Sequence, residues 1–202
     1  MEILKGLPVA QAINEELIKE SQEAGIKPHL AIIRVGERPD DCSYERGATK
    51  KMDKVGFDCT SYVFPQDITD EEFQKEFDKI NKDDNIDGIL LLRPLPKHIN
   101  EKAIEERINP VKDLDGISPI NLAKVYAGDV NGFAPCTAEA VIEMLDYAGI
   151  DLTGKRVTVV GRSLVIGKPV AMMLMKKNAT VTVCHTKTKD MAGTCRRRVL
   201  QR

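Results

Sequence analysis

The stretch TVVGRSLVIGKPV, residues 158–170, places Gly161 directly after an apolar run and Gly167 six residues later. Glycine at the first position lets the chain turn sharply, and glycine at the second permits close approach of helix and backbone. Pro169 suits a first helical turn, where a missing N–H costs little. Free N–H groups and the positive end of a helix beginning here would face a pyrophosphate. The spacing is not GxGxxG, and a tight strand-to-helix turn with no ligand shares it. The following run, ATVTVCHTKTKD, ends in Cys184, His185 and Thr186. A site for NAD usually has Asp or Glu there to hold the ribose hydroxyls. Here the nearby charges are Arg162, Lys187 and Lys189, which favours a 2'-phosphate and so NADP over NAD. His185 has no carboxylate at ligand spacing, and no metal is expected.

Bulk composition narrows the classes. The chain has 202 residues, 42% of them hydrophobic, enough for one large core or two small ones. Thirty basic residues against 31 acidic give a net charge of -1, so nothing calls for nucleic acid or an anionic membrane. No apolar run approaches the roughly 20 residues of a spanning helix. The opening MEILKGLPVAQAINEELIKE is charged and amphipathic, unlike a secretory signal. Five cysteines with no CxxC pair argue against a disulfide framework or thiolate zinc site and suit a reducing cytoplasm. No tryptophan, four tyrosines and five phenylalanines offer little stacking surface to single-stranded nucleic acid.

The elements that must position these residues alternate. Residues 10–24 fit an amphipathic helix, and HLAIIRVG, residues 29–36, a buried strand. RPDDCSY opens a helix to about Val55, with Asp40, Asp41 or Ser43 as candidate caps, and Gly56 stops it. DCTSYVFP reads as a second strand. TDEEFQKEFDKINKDD is a third helix that Thr69 could cap. IDGILLLRPLP is a strand ended by Pro94 and Pro96. This order predicts an α/β domain with a largely parallel sheet. RINPVKDLDGISPINLAKVYAGD reads as a polar, turn-rich connector. CTAEAVIEMLDYAG is helical from Cys136 or Thr137, and GKRVTVVG begins a new βαβ unit. Two α/β lobes follow, with a ligand cleft expected between them.

Six stretches, SYERGATKKMDKVGF, DGILLLRPLPKHI, NPVKDLDGISPINLAKV, GFAPCTAEAVIEML, LTGKRVTVVGRSLVIGKPVAMML and ATVTVCHTKT, stand in an order that resembles one family. It is the bifunctional methylenetetrahydrofolate dehydrogenase/cyclohydrolase (FolD) family, and the likeness runs from about residue 2 to residue 195. The resemblance implies an N-terminal parallel-sheet folate-binding domain, residues 1–118, and a Rossmann-like NAD(P)-binding domain, residues 119–202. It implies a cytoplasmic homodimer of one-carbon metabolism and purine biosynthesis. Such an enzyme oxidises 5,10-methylene-tetrahydrofolate with NADP or NAD, then hydrolyses the methenyl product. Family chains are longer, so the second domain is expected to be truncated, with an apolar sheet edge exposed. The basic run Arg196, Arg197, Arg198 departs from the apolar strand expected there.

Residue by residue, Tyr44 matches the family's substrate-stacking tyrosine. Asp115 matches its folate-binding aspartate, whose carboxylate can accept from pterin N–H groups. An Asp-Gly turn is the bland alternative at Asp115. Pro94, Leu95 and Pro96 match the loop lining the folate site. Gly161, Arg162, Ser163, Gly167, Lys168, Pro169 and Thr186 match the cofactor site. Cys136 and Thr137 match a hinge stretch, with no histidine to make the thiol a nucleophile. Two departures stand out. The family's catalytic lysine falls at Ala48 and its partner glutamine at Leu92. A methyl group cannot move a proton. Lys50 and Lys54 point away from the face shared by Tyr44 and Ala48, while Lys51 lies about 20° from it.

Hydride transfer demands mostly geometry and draws its push from the substrate's own nitrogen. Hydrolysis needs proton transfers. The expectation is therefore NADP-dependent dehydrogenase activity with little cyclohydrolase activity. A catalytically silent folate or dinucleotide binder, or an inactive fragment, is the alternative.

Overall fold

The computed structural model describes residues 3–196. Arg197 and Arg198, two of the three basic residues set against the expected apolar strand, lie outside that range. The chain divides into two compact units. One is Ala10–Pro119; the other is Ile120 onward together with the start of the chain through Val9.

Helix α1 (Gly6–Ala24) leads to β1 (His29–Val35), α2 (Pro39–Val55), β2 (Asp58–Phe64), α3 (Asp70–Lys82) and β3 (Gly88–Leu91). The sheet is parallel, in the order β2-β1-β3. Central β1 alternates its side chains between two buried faces. Ala31, Ile33 and Val35 enter a large core with Phe73, Phe77, Ile89 and Leu91. Leu30 and Ile32 enter a smaller cluster on the other face. Burial on both faces is what a parallel sheet requires, and it explains the unbroken apolar run HLAIIRV. Phe73 and Phe77 are fully buried, each contributing about 1.5–3 kcal/mol by area.

Thr69 caps α3 through a capping box, its hydroxyl accepting from the Glu72 N–H while Glu72 reaches back. Gly56 ends α2 at φ 81°, its N–H bonded to the carbonyls of Asp53 and Met52. The cap expected at Asp40, Asp41 or Ser43 is not there. Pro39 starts the helix earlier, with Arg38 as an N-cap that makes no side-chain cap bond. Asp41 instead accepts two hydrogen bonds from the Arg38 guanidinium, at 2.7 and 2.8 Å.

Between β3 and residue 135, two helices lie where none was expected. The first is α4 (Glu101–Arg107), capped by the Asn100 side chain, which accepts from the Ala103 N–H. The second, α5 (Pro119–Ala127), occupies the later half of the stretch read as a connector. Pro119 presets its first turn, and Asn121 and Val125, one turn apart, are buried.

The second unit continues with α6 (Cys136–Tyr147), β4 (Arg156–Val160), α7 (Gly167–Lys176), β5 (Thr180–Cys184) and α8 (Met191–Arg196). Strands β4 and β5 pair in parallel, Val160 opposite Cys184. Ala138 and Ile142 of α6 and Val170 and Leu174 of α7 pack with Val157, Val159 and Val181 of the strands. Val160 and Val183 are exposed. Among the described residues no helix is long and apolar enough to cross a membrane.

Candidate active site

Strands β4 and β5 end side by side, the Gly161 N–H donating to the Cys184 carbonyl at 2.8 Å. The loops 161–166 and 185–188 therefore leave the same, carboxyl edge of the sheet, where α/β folds bind ligands. Gly161 has φ 138°, a left-side conformation suited to glycine. A Cβ on Gly167 would lie 2.4 Å from the Gly161 carbonyl carbon and oxygen and 2.7 Å from the Arg162 nitrogen. Gly167 is thus the residue that lets the start of α7 touch the turn. Pro169 is buried in the first helical turn, while Arg162, Ser163, Lys168 and Thr186 are exposed.

One expectation is corrected here. The start of α7 does not present bare N–H groups. The Ser163 hydroxyl accepts from the N–H groups of Ile166, at 3.0 Å, and Gly167, at 3.4 Å. The Ser163 carbonyl accepts from Lys168 at 3.0 Å, and Pro169 has no N–H. Helix ends need such partners, and a hydroxyl three residues upstream supplies them. An anion reaching this end meets the Ser163 hydroxyl first. Only a change of the Ser163 χ1, which moves the accepting oxygen, would free these two N–H groups.

His185 belongs to the turn. Its Nδ1 accepts from the Lys187 N–H at 3.1 Å, and its own N–H donates to the Thr188 hydroxyl at 2.9 Å. No group of three or more His, Cys, Asp or Glu side chains could hold a metal among the described residues.

In the first unit, the sheet face that carries Leu30 and Ile32 holds the two departures. Ala48 from α2 and Leu92, just past β3, pack in one apolar cluster with Met52, Cys59, Leu90 and Leu114. Leu92 is buried, its N–H bonded to the Ile33 carbonyl at 2.9 Å. Tyr44, one turn before Ala48, is 58% exposed. Lys51 points elsewhere. Its ammonium donates to Asn14 Oδ1 at 2.9 Å and so ties α2 to α1.

The segment KDLDG runs beside β3, with Asp113 bridged to Ile89. Asp113 is fully buried and accepts from the N–H groups of Ile117, at 3.0 Å, and Ser118, at 2.8 Å. Leu114 lies over Gly88, where a Cβ would come within 2.4 Å of its Cδ1. Asp115 stands in the turn closed by the Gly116 N–H and the Asp113 carbonyl, with φ 59° at Gly116. The turn reading and the binding reading of Asp115 are compatible, because Asp113 carries the internal bonds and leaves the next carboxylate part-exposed. Pro94 is exposed and joined to Arg93 by a cis peptide, Leu95 is buried and Pro96 half-buried.

Arg93 was not among the expected site residues. Its guanidinium lies 3.0 Å from Glu105, 3.5 Å from Glu101 and 3.9 Å from Asp115. Burial pushes the Glu105 carboxyl up; Arg93 opposes this and Glu101 adds to it. The available signal was a lone charge closing an apolar strand directly before a proline.

The fold and the turn define a two-unit α/β protein of the dinucleotide-binding kind. The description "tetrahydrofolate dehydrogenase/cyclohydrolase, catalytic domain" matches residues 4–115, and the NAD(P)-binding domain of the same enzymes matches residues 135–200. The bifunctional protein FolD of Clostridioides difficile (strain 630) is 52% identical over 195 residues, 95% of this chain and 68% of that protein. The crystal structure of the FolD enzyme of Campylobacter jejuni superposes with a TM-score of 0.89 at 38% identity, covering 94% of this chain and 68% of that one. The Trypanosoma brucei enzyme, complexed with NADP cofactor and inhibitor, gives 0.84 at 36% identity, covering 93% and 65%. The chain belongs to the tetrahydrofolate dehydrogenase/cyclohydrolase family.

Proposed function

We propose that this protein oxidises 5,10-methylene-tetrahydrofolate to 5,10-methenyl-tetrahydrofolate with NADP and has little cyclohydrolase activity. The observation that carries the reading is a contrast. The turn at Gly161–Gly167 keeps the close backbone contact a dinucleotide site needs, while Ala48 and Leu92 are joined in an apolar cluster.

NADP fits the residues present. Gly161, Ser163 and Gly167 would hold its pyrophosphate, with Lys168 and Pro169 starting the helix behind them. Arg162 would pair with the 2'-phosphate and Thr186 would hydrogen-bond nearby. When bound, the cofactor supplies the electron acceptor. Tyr44 would stack on the folate, Pro94, Leu95 and Pro96 would wall its site, and Asp115 would accept from pterin N–H groups. Orientation is the main demand of this step. Water addition to the methenyl carbon needs a proton relay, and neither Ala48 nor Leu92 can carry one.

We assign residues 1–118 to folate binding and residues 119–202 to NADP binding. A homodimer in the cytoplasm is part of the same reading, supported by the family, and the cytoplasm also by five cysteines with no CxxC pair. The test is NADP-dependent oxidation by the purified 202-residue chain, with methenyl hydrolysis followed in parallel. NADPH formation with accumulating methenyl product is the expected result. A folded sample that binds tetrahydrofolate or NADP without turnover would instead establish a silent binder.

A further inference from the structure

We infer that Arg93 is a positioning residue that sets the Asp115 carboxylate for its ligand and couples it to the Pro94–Pro96 loop. The inference rests on the folate reading of Asp115. Arg93 follows the buried Leu92, and its side chain is only 20% exposed. Its guanidinium faces three carboxylates. Glu105 and Glu101 come from one face of α4, four residues apart, at 3.0 and 3.5 Å. Asp115 comes from the turn after Asp113, at 3.9 Å. Glu101 also accepts from the Leu95 N–H at 2.8 Å through its other oxygen. A continuous chain of contacts thus runs from Asp115 through Arg93 and Glu101 to the backbone of Leu95.

The charges explain what this network does. One cation serves three anions, so acceptor capacity is in excess. Arg93 is closest to the α4 carboxylates and furthest from Asp115. Asp115 is therefore oriented without being consumed, and its oxygens remain available to N–H donors such as those of a pterin. Only a guanidinium has the planar fork to reach α4 and the turn together. Without it, Glu101 and Glu105 repel each other beside Asp115, while the turn keeps its Asp113 bonds and the loop its Leu95–Glu101 bond, so what is lost is the link between Asp115 and the loop.

Titration calorimetry with tetrahydrofolate tests this on the full 202-residue chain. Wild type, Arg93→Met, Asp115→Asn and the double variant are compared, with the folded state of each checked by circular dichroism. Arg93→Met is expected to weaken binding about tenfold, the scale of one charge-assisted contact. If Arg93 acts through Asp115, it adds nothing once Asp115 is Asn. The double variant should then bind like Asp115→Asn alone, which a general loss of stability would not produce. Arg93→Met binding like wild type would overturn the inference, as would full additivity with Asp115→Asn. Arg93→Lys keeps the charge without the fork and decides the matter where the Met variant does not fold. Intermediate affinity supports the role, and wild-type affinity overturns it. Failure of wild type to bind tetrahydrofolate, or unchanged binding in Asp115→Asn, would remove the folate reading itself and the role of Arg93 with it.

Discussion

The cofactor turn and the α2–β3 face are built on different principles. The turn is made of backbone. Its essential contacts are those of Gly161, Gly167 and the Arg162 nitrogen, with the Ser163 hydroxyl as an internal stopper. The α2–β3 face is made of side chains, and there Ala48 and Leu92 join the apolar cluster around Leu30 and Ile32. A backbone-built site cannot lose one residue without distorting the loop. A side-chain-built site can lose its chemistry at two positions while the sheet and helix around it stay intact, because packed methyl groups satisfy the core as well as a paired lysine and glutamine.

The largest effect should come from a single methyl group in the turn. Gly167→Ala puts a Cβ 2.4 Å from backbone atoms that have no flexible end to yield. Loss of about 1–3 kcal/mol of stability is expected, with NADP affinity at least tenfold weaker by fluorescence titration. Gly47→Ala is the counterpart on α2. Nothing lies within 4 Å of its added Cβ, so that helix should gain about 0.5–1 kcal/mol. Equal effects of the two substitutions on the melting temperature would break the comparison.

The side-chain region should answer next. Leu92→Gln buries an amide among Ile32, Leu90 and Leu114 and should cost about 1–3 kcal/mol. Ala48→Lys combined with Leu92→Gln should cost less than the sum of the single variants, because the two polar groups can pair. The double variant should also gain methenyl-tetrahydrofolate hydrolysis, followed by loss of the methenyl absorbance. Hydrolysis unchanged in a folded double variant would show that Ala48 and Leu92 are not what limits it.

A pH dependence sharpens the same contrast, because charge pins the helix that carries Tyr44. Glu45 on α2 pairs with Arg34 on β1, both side chains under 15% exposed. Burial opposes ionisation of Glu45, and the hydrogen bond with Ser61 and the Arg34 pair outweigh it, holding its carboxyl below the ordinary value. A carboxyl depressed by folding contributes stability above its unfolded pKa and loses it as pH falls through the folded one. Glu45→Gln should therefore lower the melting temperature near neutrality, on the scale of about 2 kcal/mol. The gap to wild type should close in acid. A constant gap across pH would assign the effect to packing.

What could be read from residue order follows the same division. The Thr69 capping box, the stop at Gly56 and the double burial of β1 are local rules written in adjacent residues, and the structure shows all three. Gly167 was legible for a related reason: glycine marks close backbone approach. The cap of α2 was not, because Arg38 takes up Asp41 and Pro39 moves the start. Helix α5 is itself mostly apolar, PINLAKVYA, and is masked by the turn-rich residues on either side, KDLDGIS before it and GD after it. The burial of Asp113 and the carboxylates around Arg93 depend on chain segments meeting in space, whereas the Ser163 bonds are local, three and four residues apart.

Lys51 carries the smallest and most discriminating effect. It lies near the face of Tyr44 and Ala48 and is the residue by which α2 could still offer an amine. Its ammonium is held instead by Asn14, a buried side chain of α1, at 2.9 Å. A group so committed would have to break that bond and leave Asn14 unsatisfied before it could serve a bound folate. Lys51→Met should cost about 1 kcal/mol, the scale of one such bond, and leave the oxidation rate as it is in wild type. If the loss appears in turnover while the melting temperature stays fixed, the amine reaches the substrate after all. The side-chain-built region would then have kept its chemistry by moving it one turn along the helix.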